Sequence, residues 1–395
     1  MISAIRNTTH IGIKIRAAAR PVEKTINLAF LMDVSDSMAG ERLSTVKRTL
    51  HAAKTLFTPA DRVTLVTFGN HGFVLADHLL LDETGLQSFY EKVDEIGTSG
   101  CTDLSAGIEA LLVTQVGQPP FDAIIVLTDG LVNRGVTSTI GLQTMFTGLG
   151  SAPITAIGYG ANHNRVLLRN LALVSRGSYV YVDSEALIPM AMGDLLSGIR
   201  KEVLRGARLI VPPQWSCCEL GPPSIVGNIV ADRDYWVVYQ LGGDPDDSFV
   251  ILADADGYHE ELTTITSSDC HDLHEQVLRC RVARAIAVAS DYMEGAARNM
   301  GSRYNDIALL SDEFAELPEA LLARPLVLRM KAQIAEIMEY NSHDSDELLA
   351  RMSSGVAYLS SQRGVTAGDP SDQTFSSSCQ RQASGQVQSQ YDNPI

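Results

Sequence analysis

Five residues with oxygen-bearing side chains stand where apolar runs give way to loops: Asp33, Ser35 and Ser37 in FLMDVSDSM, Thr102 in GTSGCTD, and Asp129 in VLTDG. Together they offer two carboxylates and three hydroxyls, an all-oxygen set that suits a hard divalent cation. Mg²⁺ keeps several waters and takes only one or two carboxylates at near-octahedral geometry, so Mg²⁺ or Mn²⁺ is the cofactor expected here. Hydroxyl ligands donate little charge, which leaves the ion electrophilic and open to a carboxylate supplied from outside. The chemistry predicted is therefore recognition and not turnover. A nucleophilic aspartate at position 33 would want a second acid two residues on, where Ser35 stands, and these loops hold no other catalytic base.

Taken singly, each loop has a plainer use. Asp33 and Ser35 could cap the following helix, Thr102 and Asp103 the next, and Asp129 with Gly130 could form a turn. The elements that carry the loops decide between these uses. TINLAFLMDV, RVTLVTFG, AIIVLTDG and PITAIGYG are short apolar runs bounded by turn residues, as strands buried on both faces are. Between them, Leu43, Val46, Leu50, Ala53 and Leu56 fall on one helical stripe, and Leu104, Ile108, Leu111 and Leu112 on another. Alternating strands and helices predict an α/β fold with a doubly wound, mostly parallel sheet. Such sheets bind ligands beyond the carboxyl ends of their strands. Both FLMDVSDSM and VLTDG leave strands at that edge, so the three loops are expected to converge.

The order D-x-S-x-S after a buried strand, then G-x-T-D opening a helix, then T-D-G after another strand, resembles the metal-ion-dependent adhesion site of von Willebrand factor A domains. The resemblance covers about Val22 to Leu204, and all five liganding positions match. It implies that Asp33 and Asp129 act partly through bridging waters, that Ser35, Ser37 and Thr102 coordinate directly, and that the partner is a protein offering an Asp or Glu carboxylate. Asp36 stands where many members have Gly; a carboxylate on that rim would tighten cation binding and repel an acidic ligand.

At 395 residues and 45% hydrophobic content, the chain is long and apolar enough for two or three domains. The formal charge of -16 argues against nucleic acid as a partner, since phosphate contacts need clustered Lys and Arg. No uncharged apolar run reaches membrane-spanning length, and MISAIRNTTHIGIKIR alternates where a secretory signal would be continuously apolar, so no membrane insertion and a cytoplasmic location are expected. Six sparse, irregularly spaced cysteines read as free thiols.

Beyond residue 204 the periodicity becomes that of short strands. Because THIGIKIRAA near the N-terminus has the same character, residues 1–21 and 205–268 are expected to form one antiparallel β-sandwich into which the 22–204 domain is inserted, a layout similar to inter-alpha-trypsin-inhibitor-like members of the family. Residues 269–352 read as a helical bundle. Residues 353–395, rich in Ser and Gln, are too poor in large apolar side chains to bury much surface and are expected to be a flexible tail available for self-association. The function expected is a non-enzymatic, metal-dependent adhesion or scaffold module. The alternatives are a regulatory or assembly subunit with a latent metal site, working with an AAA-type ATPase or in a structural shell, and, third, a metal-dependent hydrolase. No GxxxxGK[ST] phosphate loop occurs in the sequence.

Overall fold

The computed structural model describes residues 2–18, 24–129, 131–150, 152–159, 163–182, 188–220, 225–242, 250–253, 257–262, 266–267, 270–294, 304–339, 345–361 and 378–392. The chain forms two compact units, one of Met1–Ala19 with Val203–Gln362, the other of Arg20–Glu202 with Arg363–Ile395. It starts with an antiparallel hairpin, β1 (Ile2–Arg6) and β2 (His10–Arg16).

The second unit follows as β3 (Asn27–Asp33), α1 (Glu41–Ala52), β4 (Arg62–Phe68), β5 (Gly72–Leu80), α2 (Glu83–Glu95), α3 (Leu104–Thr114), β6 (Ala123–Thr128), α4 (Thr139–Thr147), β7 (Ile154–Tyr159), α5 (Arg165–Ser175), β8 (Ser178–Val182) and α6 (Ile188–Arg200). Its sheet has the order β5-β4-β3-β6-β7-β8, parallel throughout except for the antiparallel β4–β5 edge pair. All seven residues of β3 are buried, because helices cover both faces of a parallel sheet. Leu28, Phe30 and Met32 pack with Val46 and Leu50 of α1 and with Met192 and Leu196 of α6. Each such side chain contributes about 1.5–3 kcal/mol on burial. From β3 the chain goes to β4 on one side and later returns to β6 on the other, so the loops after β3 and β6 diverge at the topological switch point.

The opposite edge of this sheet is pinned by buried ion pairs. Asp61, fully buried, accepts the backbone N–H groups of Ile26 (3.0 Å) and Thr58 (2.6 Å) and receives Arg200 on both oxygens at 3.2 and 2.7 Å. Lys24 lies between Asp122 (2.9 Å) and Glu202 (3.2 Å), and Asp122 accepts the N–H of Asn27. These bonds fix where β3 begins and hence where it ends.

The first unit resumes with β9 (Glu202–Ile210), β10 (Ser216–Cys217), β11 (Ile225–Val230), β12 (Asp234–Gln240), β13 (Val250–Ala253), β14 (His259–Leu262) and β15 (Thr266–Ser267). These build a five-stranded sheet, β10-β12-β2-β1-β15, and a four-stranded one, β11-β9-β13-β14. β2 pairs with β12 along its whole length, Arg16 opposite Asp234 and His10 opposite Gln240. The alternation of β2 points Ile11, Ile13 and Ile15 into one apolar core with Leu209, Ile229 and Leu252. Helices α7 (His271–Glu294), α8 (Tyr304–Glu316), α9 (Glu319–Leu322), α10 (Pro325–Met338) and α11 (Ser345–Ser361) follow. Among the described residues no helix is long and apolar enough to cross a membrane. Cys101, Cys217, Cys218, Cys270 and Cys280 are free thiols.

The expected flexible tail is corrected where it is described. Ser353, Val356, Tyr358 and Leu359 are buried in α11, and a further helix, α12 (Ser378–Asp392), packs on α6. Phe375 lies outside the described residues. Counting large apolar side chains missed this helix because close backbone approach holds it. A Cβ on Gly193 of α6 would stand 2.7 Å from Ser384 Cα and 2.8 Å from the Ala383 carbonyl oxygen. Ser384 Oγ donates to the Met190 carbonyl at 3.0 Å, Gln380 Nε2 to that of Asp194 at 3.2 Å, and Arg48 stacks on the Tyr391 ring at 4.2 Å. Gly193→Val is therefore expected to push α12 off α6 at a cost of about 1–3 kcal/mol. Hydrogen exchange should speed up over residues 378–392 while β3 and β6 stay protected; an unchanged pattern would refute the close-packing account.

Candidate functional site

At the sheet edge hydrogen bonds link four of the predicted residues, Asp33, Ser35, Ser37 and Asp129, while the contacts of Thr102 run through its backbone to Asn133. Asp33 ends β3 with no exposed surface; its Oδ1 accepts the Ser35 N–H at 2.8 Å and its Oδ2 accepts the hydroxyl of Thr128, the last residue of β6, at 2.5 Å. The hydroxyls of Ser35 and Ser37 lie 3.0 Å apart, and Ser37 Oγ donates to Asp129 Oδ1 at 2.8 Å. Thr102, also buried, is held by its backbone: its N–H donates to Asn133 Oδ1 at 3.1 Å, and its carbonyl accepts the Asn133 N–H at 3.2 Å.

Capping explains only one part of the set. Asp103 caps α3 by accepting the Ala106 N–H at 3.0 Å. Ser35 stands before a short 3₁₀ turn without making a side-chain cap, and Gly40, at the N-cap of α1, has no side chain to make one. The carboxylate of Asp33 and the hydroxyls of Ser35 and Ser37 thus have no capping task.

The loops are rigidly joined. Ser99 N–H donates to the Val34 carbonyl at 2.6 Å, while Asp36 and Gly100 exchange two bonds of 3.0 Å, one of them onto Asp36 Oδ1. Asp36, the rim carboxylate of the sequence reading, is therefore engaged in tying the first loop to the second. Gly100 has φ +78°, and a Cβ there would stand 2.2 Å from the Asn70 side chain, so only glycine serves at this junction. Asn70 Oδ1 in turn accepts from the Cys101 N–H and from Arg134, both at 3.1 Å.

Two residues at this edge were missed by the sequence reading. Thr128 was seen only as part of a motif. Arg42, in the first turn of α1, donates from one guanidinium nitrogen to Asp129 Oδ2 and, at 3.1 Å, to the Ser37 carbonyl. A signal for it exists in the sequence, since a cation in the first helical turn opposes the macrodipole and calls for a nearby anion.

Asp129 has no exposed side-chain surface, so two buried carboxylates share this edge. Burial raises the Asp33 carboxyl above its ordinary value and the charge of Asp129 adds to the rise, against the hydrogen bonds from Ser35 and Thr128. A cation would relieve that penalty. Among the described residues no three His, Cys, Asp or Glu side chains gather as metal ligands, so an ion here would depend on the hydroxyls. The oxygen spacing fits such an ion: neighbouring ligands of an octahedral Mg²⁺ at about 2.1 Å lie about 3.0 Å apart. Ser35, Ser37 and Asp129 are spaced at 3.0 and 2.8 Å.

Comparison with known proteins bears on the same stretch. The human inter-alpha-trypsin inhibitor heavy chain H3 is 26% identical over 202 residues, which are 46% of this chain and 23% of that protein. The uncharacterized protein YfbK of Escherichia coli K12 is 25% identical over 202 residues, 48% of this chain and 34% of its own length. The chain thus matches a quarter to a third of these relatives. A solved structure, the von Willebrand factor type A protein from Catenulispora acidiphila, superposes with a TM-score of 0.68 at 14% identity, over 93% of this chain and 96% of that one, and so shares the fold. The family model described as von Willebrand factor type A domain matches residues 26–181, which run from the start of β3 into β8. With the mostly parallel sheet occupying that same stretch, residues 26–181 of this chain are a von Willebrand factor type A domain.

Proposed function

We propose that this chain is a non-enzymatic protein-binding module that uses Mg²⁺ or Mn²⁺ at Asp33, Ser35, Ser37, Thr102 and Asp129 to engage an Asp or Glu carboxylate of a partner protein. Domains of this type are typically protein-interaction modules, which supports the class of function. The observation that carries the metal assignment is the run of oxygens from Ser35 through Ser37 to Asp129, set at ligand spacing beside the buried Asp33. When bound, the ion supplies an electrophilic position for an external carboxylate. The residues of the chain do the rest: Thr128 and the Ser35 N–H orient Asp33, Ser37 orients Asp129, and Asp36 with Gly100 locks the rim. In this reading residues 1–21 and 205–268 form a β-sandwich that carries the domain as an insert, and the helices of 269–352 add a second surface.

Asp33→Ala tests the assignment. Calorimetric titration with Mg²⁺ or Mn²⁺ is expected to show one site in the wild type and none in the variant, with circular dichroism unchanged. Equal binding by both proteins would remove the metal from these residues.

A further inference from the structure

Arg42 and a divalent cation want the same oxygens. The guanidinium holds Asp129 Oδ2, and the other oxygen of that carboxylate is the one Ser37 contacts. The same nitrogen also bonds the Ser37 carbonyl, so Arg42 links the first and third loops of the site from above. Its side chain is 42% exposed while that of Asp129 is fully buried. It can therefore swing into solvent without opening a cavity, and among the described residues the bonds it gives up are those to Asp129 and the Ser37 carbonyl. Its charge suffices to neutralise one of the two buried carboxylates, whereas a dication neutralises both.

We propose that Arg42 is a tethered counter-cation that latches the metal site closed, so that an incoming Mg²⁺ or Mn²⁺ must displace it from Asp129. This inference rests on the metal reading given above and adds a regulation to the same site. Two effects act in one direction. The latched population cannot take the ion, which weakens apparent affinity in proportion to the open fraction. A displaced Arg42, still anchored in α1, also leaves a positive charge near the ion. In a chain without metal the latch spares Asp33 and Asp129 part of their mutual repulsion, so the fold holds with the site closed. Any influence that draws the guanidinium away, such as an acidic partner surface, would favour metal uptake and couple the two binding events.

The test is Mn²⁺ titration of the full chain by calorimetry, for wild type, Arg42→Met, Arg42→Lys and the double variant Asp33→Ala with Arg42→Met. Methionine keeps the aliphatic stem and removes the charge; it is expected to tighten Mn²⁺ binding about ten- to a hundredfold. Lysine, a point charge unable to bridge Asp129 and the Ser37 carbonyl in the same way, should fall between and serves if the methionine variant does not fold. The double variant should not bind. Thermal unfolding gives a second readout: in chelator Arg42→Met should melt below the wild type and recover more with added Mg²⁺. Equal Mn²⁺ affinity in wild type and Arg42→Met would overturn the latch and leave the metal site standing. Absence of binding in every protein, Arg42→Met included, would overturn the metal reading itself.

Discussion

Replacing Asp61 by alanine is expected to destabilise the α/β unit by about 3–5 kcal/mol, since it strips a buried pair of one partner. Four hydrogen bonds are lost at once, from the N–H groups of Ile26 and Thr58 and from two guanidinium nitrogens of Arg200, whose side chain is only 10% exposed. Arg200 keeps its bonds to the Lys24 and Leu56 carbonyls but not a counter-charge. Asp61→Asn, which keeps the shape and two acceptor lone pairs, should lose roughly half as much. Urea denaturation followed by circular dichroism measures both; an alanine variant within 1 kcal/mol of wild type would mean that water reaches this edge. The pair lies at the start of β3 and the metal candidates at its end, so a folded Asp61→Asn chain should still bind Mn²⁺ like wild type.

A loss of similar size is expected for Arg279→Met in the other unit. The Arg279 side chain has no exposed surface and reaches both oxygens of Glu219 (2.5 and 2.9 Å), Gln276 Oε1 (2.7 Å), the Leu359 carbonyl (2.7 Å) and that of Trp236 (3.3 Å). Through these contacts it joins α7 to β12 and to α11. Methionine leaves Glu219 buried and charged among groups that cannot compensate it, at about 3–5 kcal/mol. Adding Glu219→Gln should recover part of that, because the amide oxygen can still accept the Val238 N–H. If the double variant is no more stable than Arg279→Met, charge compensation is not the role of Arg279.

What the sequence disclosed follows from burial. β3, β4, β6 and β7 are read from sequence because strands covered on both faces are continuous apolar runs. β5 escaped: it is an antiparallel edge strand with Phe73 58% exposed, and its run GFVLADHLL is half polar in use. The five residues proposed as ligands stand out in the sequence by type and order. Arg42 does not: a cation in the first turn of α1 calls for an anion nearby, but nothing local names Asp129 until the β6 loop is placed beside α1. Asp36 had been weighed as a free rim charge, and its bond to the Gly100 N–H depends on a loop more than sixty residues away. α12 defeated a composition argument because glycine and serine stabilise by proximity, a quantity that side-chain hydrophobicity does not measure.

The pairing of β2 with β12 sets an order of assembly during synthesis. As the chain leaves the ribosome, the β1–β2 hairpin emerges ahead of the α/β sheet, yet the edge of β2 away from β1 has no partner until residues 234–240 have been made, and the face that carries Ile11, Ile13 and Ile15 lacks its core neighbours. A two-stranded hairpin is marginal by itself. Every strand of the α/β sheet, β3 to β8, appears in the meantime, so that sheet can close while the hairpin waits. The waiting strand is an exposed, apolar, unpaired edge, the kind of surface that nascent-chain chaperones cover and that misassembles when they are scarce.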